Sequence, residues 1–379
     1  MGLLRLLLAL AVVSDHAGPA LGWTPARMTG GPLAVQMFYI VSGFYMAMVL
    51  SEKYLGRGAY WAFAKSRVIR LYPMYLVVLA VTLGVGIAMH LCGWTIDPVA
   101  RWIERGSDMP WLDAAALGAV QLTLVGQDAV VFTAVDPGTT QLVFAADFHD
   151  HELPSWQFMF VPQAWTVSLE LMFYALAPLL VRRVAVLVPL LVASLGLRVL
   201  LVVGLGLDHD PWTYRFFPTE LALFLAGAAS YHGYRWLRGG KWLLRILAWP
   251  ALIAVLAYVI GYRALPELAR ARIYGLSGIL FALPCALPFV FHVSARWRWD
   301  RAVGELSYPV YLVHFLFCFG LAALGLPMWT PVSGAVVPAL TLAVAWALWR
   351  YVGARVEVSR QRIGERLRAA QRPSTEAAS

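Results

Sequence analysis

The sequence predicts an all-α, polytopic membrane protein with about ten transmembrane helices, and three observations support this. The chain has 379 residues, of which 60% are hydrophobic and 13% charged, and its mean hydropathy is +0.68. Soluble domains are far more polar. The apolar residues also fall in runs close to the ~20 residues that a helix needs to cross a bilayer. The Lys and Arg residues cluster between these runs, as in proteins whose helices are oriented by charge.

Ten apolar segments are long enough to be candidate spans. They are residues 2–17, 32–51, 68–90, 164–181, 184–205, 215–234, 243–261, 273–292, 305–325 and 333–351. An eleventh stretch, 113–132, is shorter and contains Asp128. We expect it to form a re-entrant or surface helix, followed by a long external loop over 133–163.

The charges orient these segments. With the N-terminus in the cytoplasm, most of the 30 Lys and Arg residues fall on the cytoplasmic side. Residues 112–163 contain no Lys or Arg but six acidic residues, so they are expected outside. An eleven-span topology would place this acidic segment in the cytoplasm. The sequence therefore predicts a multi-pass protein of a cell membrane with both termini cytoplasmic.

The chain divides into a membrane-embedded domain, residues 1–353, and a basic cytoplasmic tail, residues 354–379, that is expected to be partly disordered. The net charge of +9 fits helix orientation and contact with anionic membrane lipids. Nucleic-acid binding is not expected, because no basic soluble domain is present. The first apolar run resembles a signal peptide, but Arg5, Asp15 and His16 interrupt it and favour a retained helix.

The first helix carries an arginine and a histidine on one face. Arg5 and His16 are eleven residues apart, which is three helical turns plus about 20°, and they lie about 16 Å apart along the axis. A polar stripe would thus connect the cytoplasmic surface with the outer half of the bilayer. The alternative is a snorkelling arginine and a structural histidine.

An Arg-x-x-Arg pair opens the third helix. Arg67 and Arg70 share a helix face at its cytoplasmic start. Paired guanidinium groups suit phosphate groups, which they bind bidentately. Basic residues that commonly flank the cytoplasmic end of a membrane helix would give the same pattern.

Two later helices carry further polar groups. Glu170 lies about six residues into the fourth span, and a carboxylate at this depth is expected to face other helices as a proton acceptor, an ion-pair partner or a structural hydrogen-bonding group. In the ninth span the polar side chains recur at helical spacing, namely Ser307, Tyr308, Tyr311 and His314. Arg198 is a further buried charge, whereas Arg215 and Glu220 would either line an external cavity or pair with each other.

The sequence contains none of the motifs that mark several other classes of enzyme. The sequence contains no P-loop, no dinucleotide fingerprint, no His-Glu-x-x-His and no Gly-x-Ser-x-Gly. The stretch FHDHE, 148–152, has two histidines with metal-ligand spacing, but no further ligands are evident. We therefore expect no metal.

Taken in order, these motifs resemble those of the bacterial acyltransferase-3 family of integral membrane O-acyltransferases. The resemblance rests on Arg5 and His16, on MFYIVSGFYM (37–46), on Arg67 and Arg70 followed by LYP (71–73), on AWTVSLELMFY (164–174) and on SYPVYLVH (307–314). Each motif is weak alone, but the ordered set is specific and runs from residue 5 to residue 314. The family's ten-helix core agrees with the count of spans.

The resemblance implies transfer of an acyl group, usually acetyl, from cytoplasmic acyl-CoA to a hydroxyl of an extracytoplasmic glycan or related envelope molecule in the bacterial inner membrane. It implies donor binding by Arg5, Arg67 and Arg70. It implies His16 as the general base or as the site of an acyl-histidine intermediate, with Glu170 as a proton relay. Candidate substrate-binding residues are Ser42, Trp165, Ser168, Tyr308, Tyr311 and His314.

Some features depart from the family pattern. Glu170 is followed by Leu171, where relatives often have a second acid, and Asp15 is not part of the motif. Asp15 is a candidate catalytic residue that would pair with another helix, cap its own helix or orient His16 through water. An extracytoplasmic esterase-like domain is missing, so a separate transferase partner is possible. A transporter or flippase of a polar envelope precursor would use the same buried charges without acyl transfer.

Overall fold

The computed structural model describes residues 1–19, 28–264 and 278–370, and this part of the chain is almost entirely helical. The helices are α1 (Gly2–Ala17), α2 (Gly31–Glu52), α3 (Ala59–Leu91), α4 (Val99–Arg101), α5 (Trp111–Thr123), α6 (Trp165–Leu180), α7 (Val184–Val199), α8 (Phe217–Leu237), α9 (Trp242–Gly261), α10 (Gly278–Ser294), α11 (Arg298–Glu305), α12 (Ser307–Ala323), α13 (Pro331–Leu348) and α14 (Ala354–Ala370). Two short strands, β1 (Thr133–Val135) and β2 (Leu142–Phe144), pair antiparallel.

A helix lies at each of the ten predicted spans, although residues 273–277 of the eighth are outside the described ranges. Within the described ranges, six helical segments are long and apolar enough to cross a membrane. They are Gly31–Glu52, Ala59–Leu91, Val184–Gly204, Trp242–Ala264, Arg298–Ala323 and Pro331–Arg368. The protein is therefore an α-helical membrane protein. Crossing by α1, α6, α8 and α10 stays a prediction.

A close crossing joins α2 to α8 at two glycines. A Cβ added at Gly43 would lie 1.9 Å from the carbonyl oxygen of Phe224, and one at Gly227 would lie 1.8 Å from that of Ile40. Small residues allow membrane helices to approach this closely, which increases their van der Waals contact. The glycine of the SGF motif is thus a packing position.

Helix α1 is fixed at both ends by other helices. Asp300 of α11 accepts hydrogen bonds from the backbone N–H groups of Gly2 at 2.7 Å and Leu3 at 2.8 Å. At the other end, Ser333 of α13 donates to the carbonyl of Ala17 at 2.7 Å. These bonds satisfy backbone groups that a helix end leaves open. They hold Arg5 and His16 at defined depths.

The segment between α3 and α6 forms a small unit of its own around α5 and the two strands. It has a separate apolar cluster, formed by Met109, Leu117, Val130, Val135, Phe158 and Met159. Tyr75 of α3 donates to the carbonyl of Gln121 at 2.5 Å, which joins this unit to the helical bundle. Helix α5 has 13 residues, about 20 Å, and is shorter than a bilayer core. Its re-entrant or surface position stays a prediction.

Candidate active site

Most of the predicted site residues surround one cavity of about 480 Å³. Its walls come from α1, α2, α3, α6, α10, α11, α12 and α14. The predicted residues that line it are Arg5, Ser42, Arg67, Arg70, Glu170, Tyr308 and Tyr311. They come from five helices that are far apart in sequence, so the bundle brings separate motifs to one place.

One end of the cavity, the arginine end, contains Arg5, Arg67 and Arg70. The Arg67 guanidinium lies 5.3 Å from the ring centre of Phe63 and 5.8 Å from that of Tyr174. Arg67 is only 3% exposed, and its Nε has no hydrogen-bond partner among the described residues. A buried guanidinium with an open donor is suited to binding an anion.

The wall of the cavity carries a chain of three polar side chains. The hydroxyl of Tyr174 donates to Glu170 at 3.0 Å and lies 3.3 Å from the Ser42 hydroxyl. Because the Tyr174 proton is directed to Glu170, Ser42 is the donor in the second bond. The serine of the SGF motif is thereby connected to the carboxylate of α6.

Two tyrosines of α12 hold neighbouring elements. Tyr308 donates to the carbonyl of Leu71 in α3 at 2.9 Å. Tyr311 donates to the carbonyl of Gln163 at 3.0 Å, and Thr166 donates to the Tyr311 hydroxyl at 2.9 Å. Tyr311 and Thr166 line the cavity at the end remote from the arginines.

Two histidines lie beyond Tyr311 and do not line the cavity. The ring centres of His16 and His314 are 5.2 Å apart, and that of His314 is 5.8 Å from the ring of Tyr311. His16 Nδ1 lies 2.9 Å from the carbonyl of Val12, and His314 Nδ1 lies 2.7 Å from that of Tyr311. A carbonyl only accepts, so each Nδ1 carries the proton and each Nε2 of the neutral ring has a free lone pair. We call these two residues the histidine pair.

Asp15 contacts a distant part of the chain, and its candidate catalytic role stays a prediction. Its carboxylate lies 3.5 Å from the guanidinium of Arg263, which follows α9. Asp15 thus pairs with another part of the bundle. This contact anchors the end of α1 next to His16.

The sequence leaves two alternatives for Arg215 and Glu220, an external cavity or a mutual pair, and the structure pairs each with a different residue. Glu220 is completely buried and forms an ion pair with Arg198 at 3.2 Å. Each of these two buried charges thus has the other as its partner. Arg215 instead pairs with Asp210 at 2.9 Å and stacks on the ring of Trp165 at 4.5 Å. The reason is helix geometry: Arg215 precedes α8, whereas Glu220 lies inside it and faces α7.

A sequence model of the family described as acyltransferase domain matches residues 1–350 of this chain. The chain belongs to the acyltransferase-3 family. It is also similar to "Protein 2 in picA locus" of Rhizobium radiobacter, with 36% identity over 101 residues, which is 26% of this chain. The chain spans about half the length of that curated relative, 51%. No solved structure matches the chain.

Besides Asp15 and the histidine pair, two further candidate residues of this acyltransferase-3 protein lie outside the cavity lining. Ser168 points to the unit around α5, where its hydroxyl donates to Asp128 at 2.6 Å and accepts from the backbone N–H of Gly126 at 3.1 Å. Burial raises the pKa of Asp128, although the bond from Ser168 acts in the opposite direction. Trp165 lies beneath Arg215. Substrate contact by Ser168 and Trp165 stays a prediction.

The FHDHE stretch forms a local contact on the unit around α5. His149 Nδ1 lies 2.7 Å from Asp147. Desolvation by itself raises the pKa of Asp147, but the hydrogen bonds from His149 and the nearby His149 and His209 together outweigh it and lower the pKa. Among the described residues, no group of three or more His, Cys, Asp or Glu side chains is arranged to hold a metal ion.

The cavity lining also includes residues that are not among the predicted site residues. They are Tyr39, Tyr174, Asp300, Arg301, Glu305 and Arg360. Tyr174 is four residues after Glu170, so helical spacing would have placed the two on one face. Arg360 belongs to α14 in the basic tail, and nothing in the sequence places it near Arg67.

Proposed function

We propose that the protein is a bacterial inner-membrane O-acyltransferase. It moves an acyl group, most simply acetyl, from cytoplasmic acyl-CoA to a hydroxyl of an extracytoplasmic glycan or other envelope molecule. In this proposal the arginine end faces the cytoplasm together with both termini, and the histidine pair faces the acceptor side.

The observation that carries this proposal is the placement of the arginines and the histidine pair at opposite ends of one path. The arginine end suits the phosphates of CoA, because three guanidinium groups line it and the buried Arg67 has an open Nε donor. The pantetheine arm is long and slender, so it can enter the cavity while the phosphates stay at the mouth. The thioester would then approach Tyr311.

The free Nε2 of His16 supports a role as general base. In direct transfer, His16 Nε2 takes the proton of the acceptor hydroxyl while the oxygen of that hydroxyl attacks the thioester carbonyl. The new C–O bond forms, the C–S bond breaks, and the CoA thiolate leaves and receives that proton. The hydrogen bond from Tyr174 holds Glu170 on the cavity wall, along the route proposed for the thioester.

The Tyr311–Thr166 hydrogen bond stands between the cavity and the histidine pair. In the proposed reaction the acyl group must pass this contact to reach His16. Opening this route would require Tyr311 to leave its hydrogen bonds with Thr166 and the Gln163 carbonyl.

Acetyl-CoA binding by the purified protein tests the proposal. We expect wild type to bind or hydrolyse acetyl-CoA and Arg67→Ala to bind at least ~10-fold more weakly, because charged hydrogen bonds are lost. Arg183→Ala is the matched control, since Arg183 is exposed and does not line the cavity. Wild-type protein that neither binds nor hydrolyses acetyl-CoA would exclude the transferase and favour the transport alternative.

The acceptor is identified by mass spectrometry of envelope glycans from cells with and without the protein. An acyl group that disappears from one glycan names the acceptor. Transfer by purified protein alone would show that no separate extracytoplasmic transferase is required.

A further inference from the structure

The last described helix, α14, is part of the cavity wall although it follows the region that matches the family. The family match ends at residue 350, and α14 spans Ala354–Ala370. It packs along α3, with Val356 and Leu367 each only 8% exposed. A Cβ added at Gly364 would lie 2.7 Å from Cε of Lys53, so the helix sits close to its neighbours. The first part of the basic tail is thus a docked element.

Arg360 is the residue through which α14 reaches the cavity. Its side chain is 12% exposed, and its Nε lies 3.5 Å from the hydroxyl of Ser66 in α3. It also pairs with Glu357 one turn earlier. Arg360 lines the same cavity as Arg67 and Arg70.

The charges at the arginine end are unbalanced. Five arginines line the cavity together with the N-terminal ammonium of Met1; these arginines are Arg5, Arg67, Arg70, Arg301 and Arg360. The carboxylates in contact with this group or in the same lining are fewer, namely Glu170, Asp300, Glu305 and Glu357, so positive charge is in excess. Asp300 already accepts two backbone hydrogen bonds from the start of α1. Like charges held together away from water are unfavourable unless an anion neutralises them. The arrangement is therefore suited to a ligand with several negative charges.

We propose that Arg360 is a phosphate-binding residue of the donor site, contributed by a helix outside the family region. The inference rests on the proposed function, because it assigns Arg360 to the phosphates of acyl-CoA. The guanidinium would keep its bond to Ser66 and direct its remaining donors to a phosphate at the cavity mouth.

The test compares two variants of α14 in donor binding. Arg360→Gln and Arg362→Gln remove the same charge from the same helix, but Arg362 is exposed and does not line the cavity. The dissociation constants of acetyl-CoA and of acetyl-3′-dephospho-CoA are measured for the full-length protein in detergent. We expect R360Q to weaken acetyl-CoA binding ~10-fold and R362Q to change it less than ~2-fold.

The second ligand shows which phosphate is bound. A loss in R360Q that appears only with acetyl-CoA assigns Arg360 to the 3′-phosphate. A loss of equal size with both ligands assigns it to the pyrophosphate. Either result supports phosphate binding by Arg360.

A third variant separates phosphate binding from a structural role of the Arg360–Glu357 pair. Glu357→Gln frees the guanidinium and removes a nearby negative charge, so acetyl-CoA should bind as tightly as to wild type or more tightly. If E357Q weakens binding as much as R360Q, the pair only holds α14 in place and the inference is wrong. Equal affinities of R360Q and R362Q would also overturn it.

The failure of this inference differs from that of the proposed function. If Arg67→Ala weakens binding and R360Q does not, the donor site stands without Arg360. If wild type does not bind acetyl-CoA, the proposed function itself is wrong.

Discussion

At the scale of single residues, the protonation of the histidine pair is set by the backbone. Both Nδ1 atoms face carbonyl oxygens of their own helices, at 2.9 Å in His16 and 2.7 Å in His314. This arrangement fixes the tautomer and the orientation of each ring. His314 Nε2 is buried without a described partner. The pair is therefore prepared to accept a proton or hydrogen bond from a group that enters between Tyr311 and His16.

We expect His16→Asn to reduce acyl transfer at least ~100-fold, the size of a general-base contribution, while acetyl-CoA still binds. Asparagine can donate to the Val12 carbonyl but cannot take the acceptor's proton. Transfer is followed with radiolabelled acetyl-CoA and the native acceptor. His232→Asn is the control, because His232 contacts the carbonyl of Val181 away from the cavity. Retained transfer in H16N would remove His16 from catalysis.

Residue spacing predicted some contacts but not others. The one-face relation of Arg5 and His16 follows from helix geometry, and so does that of Glu170 and Tyr174. The partner of Asp15 was left open among three possibilities, because Arg263 is 248 residues away in the chain. Only packing of the α9 end against α1 brings the two together.

At the scale of helices, the direction of each face decides which motif residues reach the cavity. Glu170 and Ser168 both belong to α6, but residues two apart on a helix point about 160° apart. Glu170 faces the cavity, whereas Ser168 faces Asp128. The sequence placed both in one motif. What each face of α6 contacts depends on the helices and loops that pack against it.

The crossing of α2 and α8 gives a prediction for stability. We expect Gly43→Ala to destabilise the protein by ~1–3 kcal/mol, because the added methyl meets the carbonyl of Phe224 and the helices must separate. Gly84→Ala is the control, since a Cβ at Gly84 of α3 has nothing within 4 Å. Thermal unfolding in detergent measures both. A melting temperature of G43A equal to that of G84A would contradict the close crossing.

At the scale of the whole molecule, the arginine end and the histidine pair define two sides of the bundle. The arginines proposed to bind the donor lie in the N-terminal halves of their helices, Arg5 in α1 and Arg67 and Arg70 in α3. The unit around α5 is bonded to the middle of α3 through Tyr72 and Tyr75. This polarity fits a donor and an acceptor that approach from different sides of a membrane.

Proteoliposomes test this two-sided arrangement. We expect acetyl-CoA to be used only from the side on which position 57 is accessible. The three native cysteines are first replaced by serine. Arg57→Cys and Asp150→Cys, both at exposed positions, are then introduced separately, and a membrane-impermeant maleimide shows on which side each lies. Donor use from the side of position 150 would contradict the proposed orientation.

The sequence by itself determined the membrane class, the family and the positions of the ten predicted helical segments. Hydrophobic length and helical period are local properties, so they can be identified in the chain alone. The tertiary structure alone decided that Glu220 pairs with Arg198, that Ser168 faces Asp128 and that Arg360 lines the same cavity as Arg67. These contacts depend on which helix faces pack together. That choice is made by the whole bundle, through close crossings such as the one at Gly43.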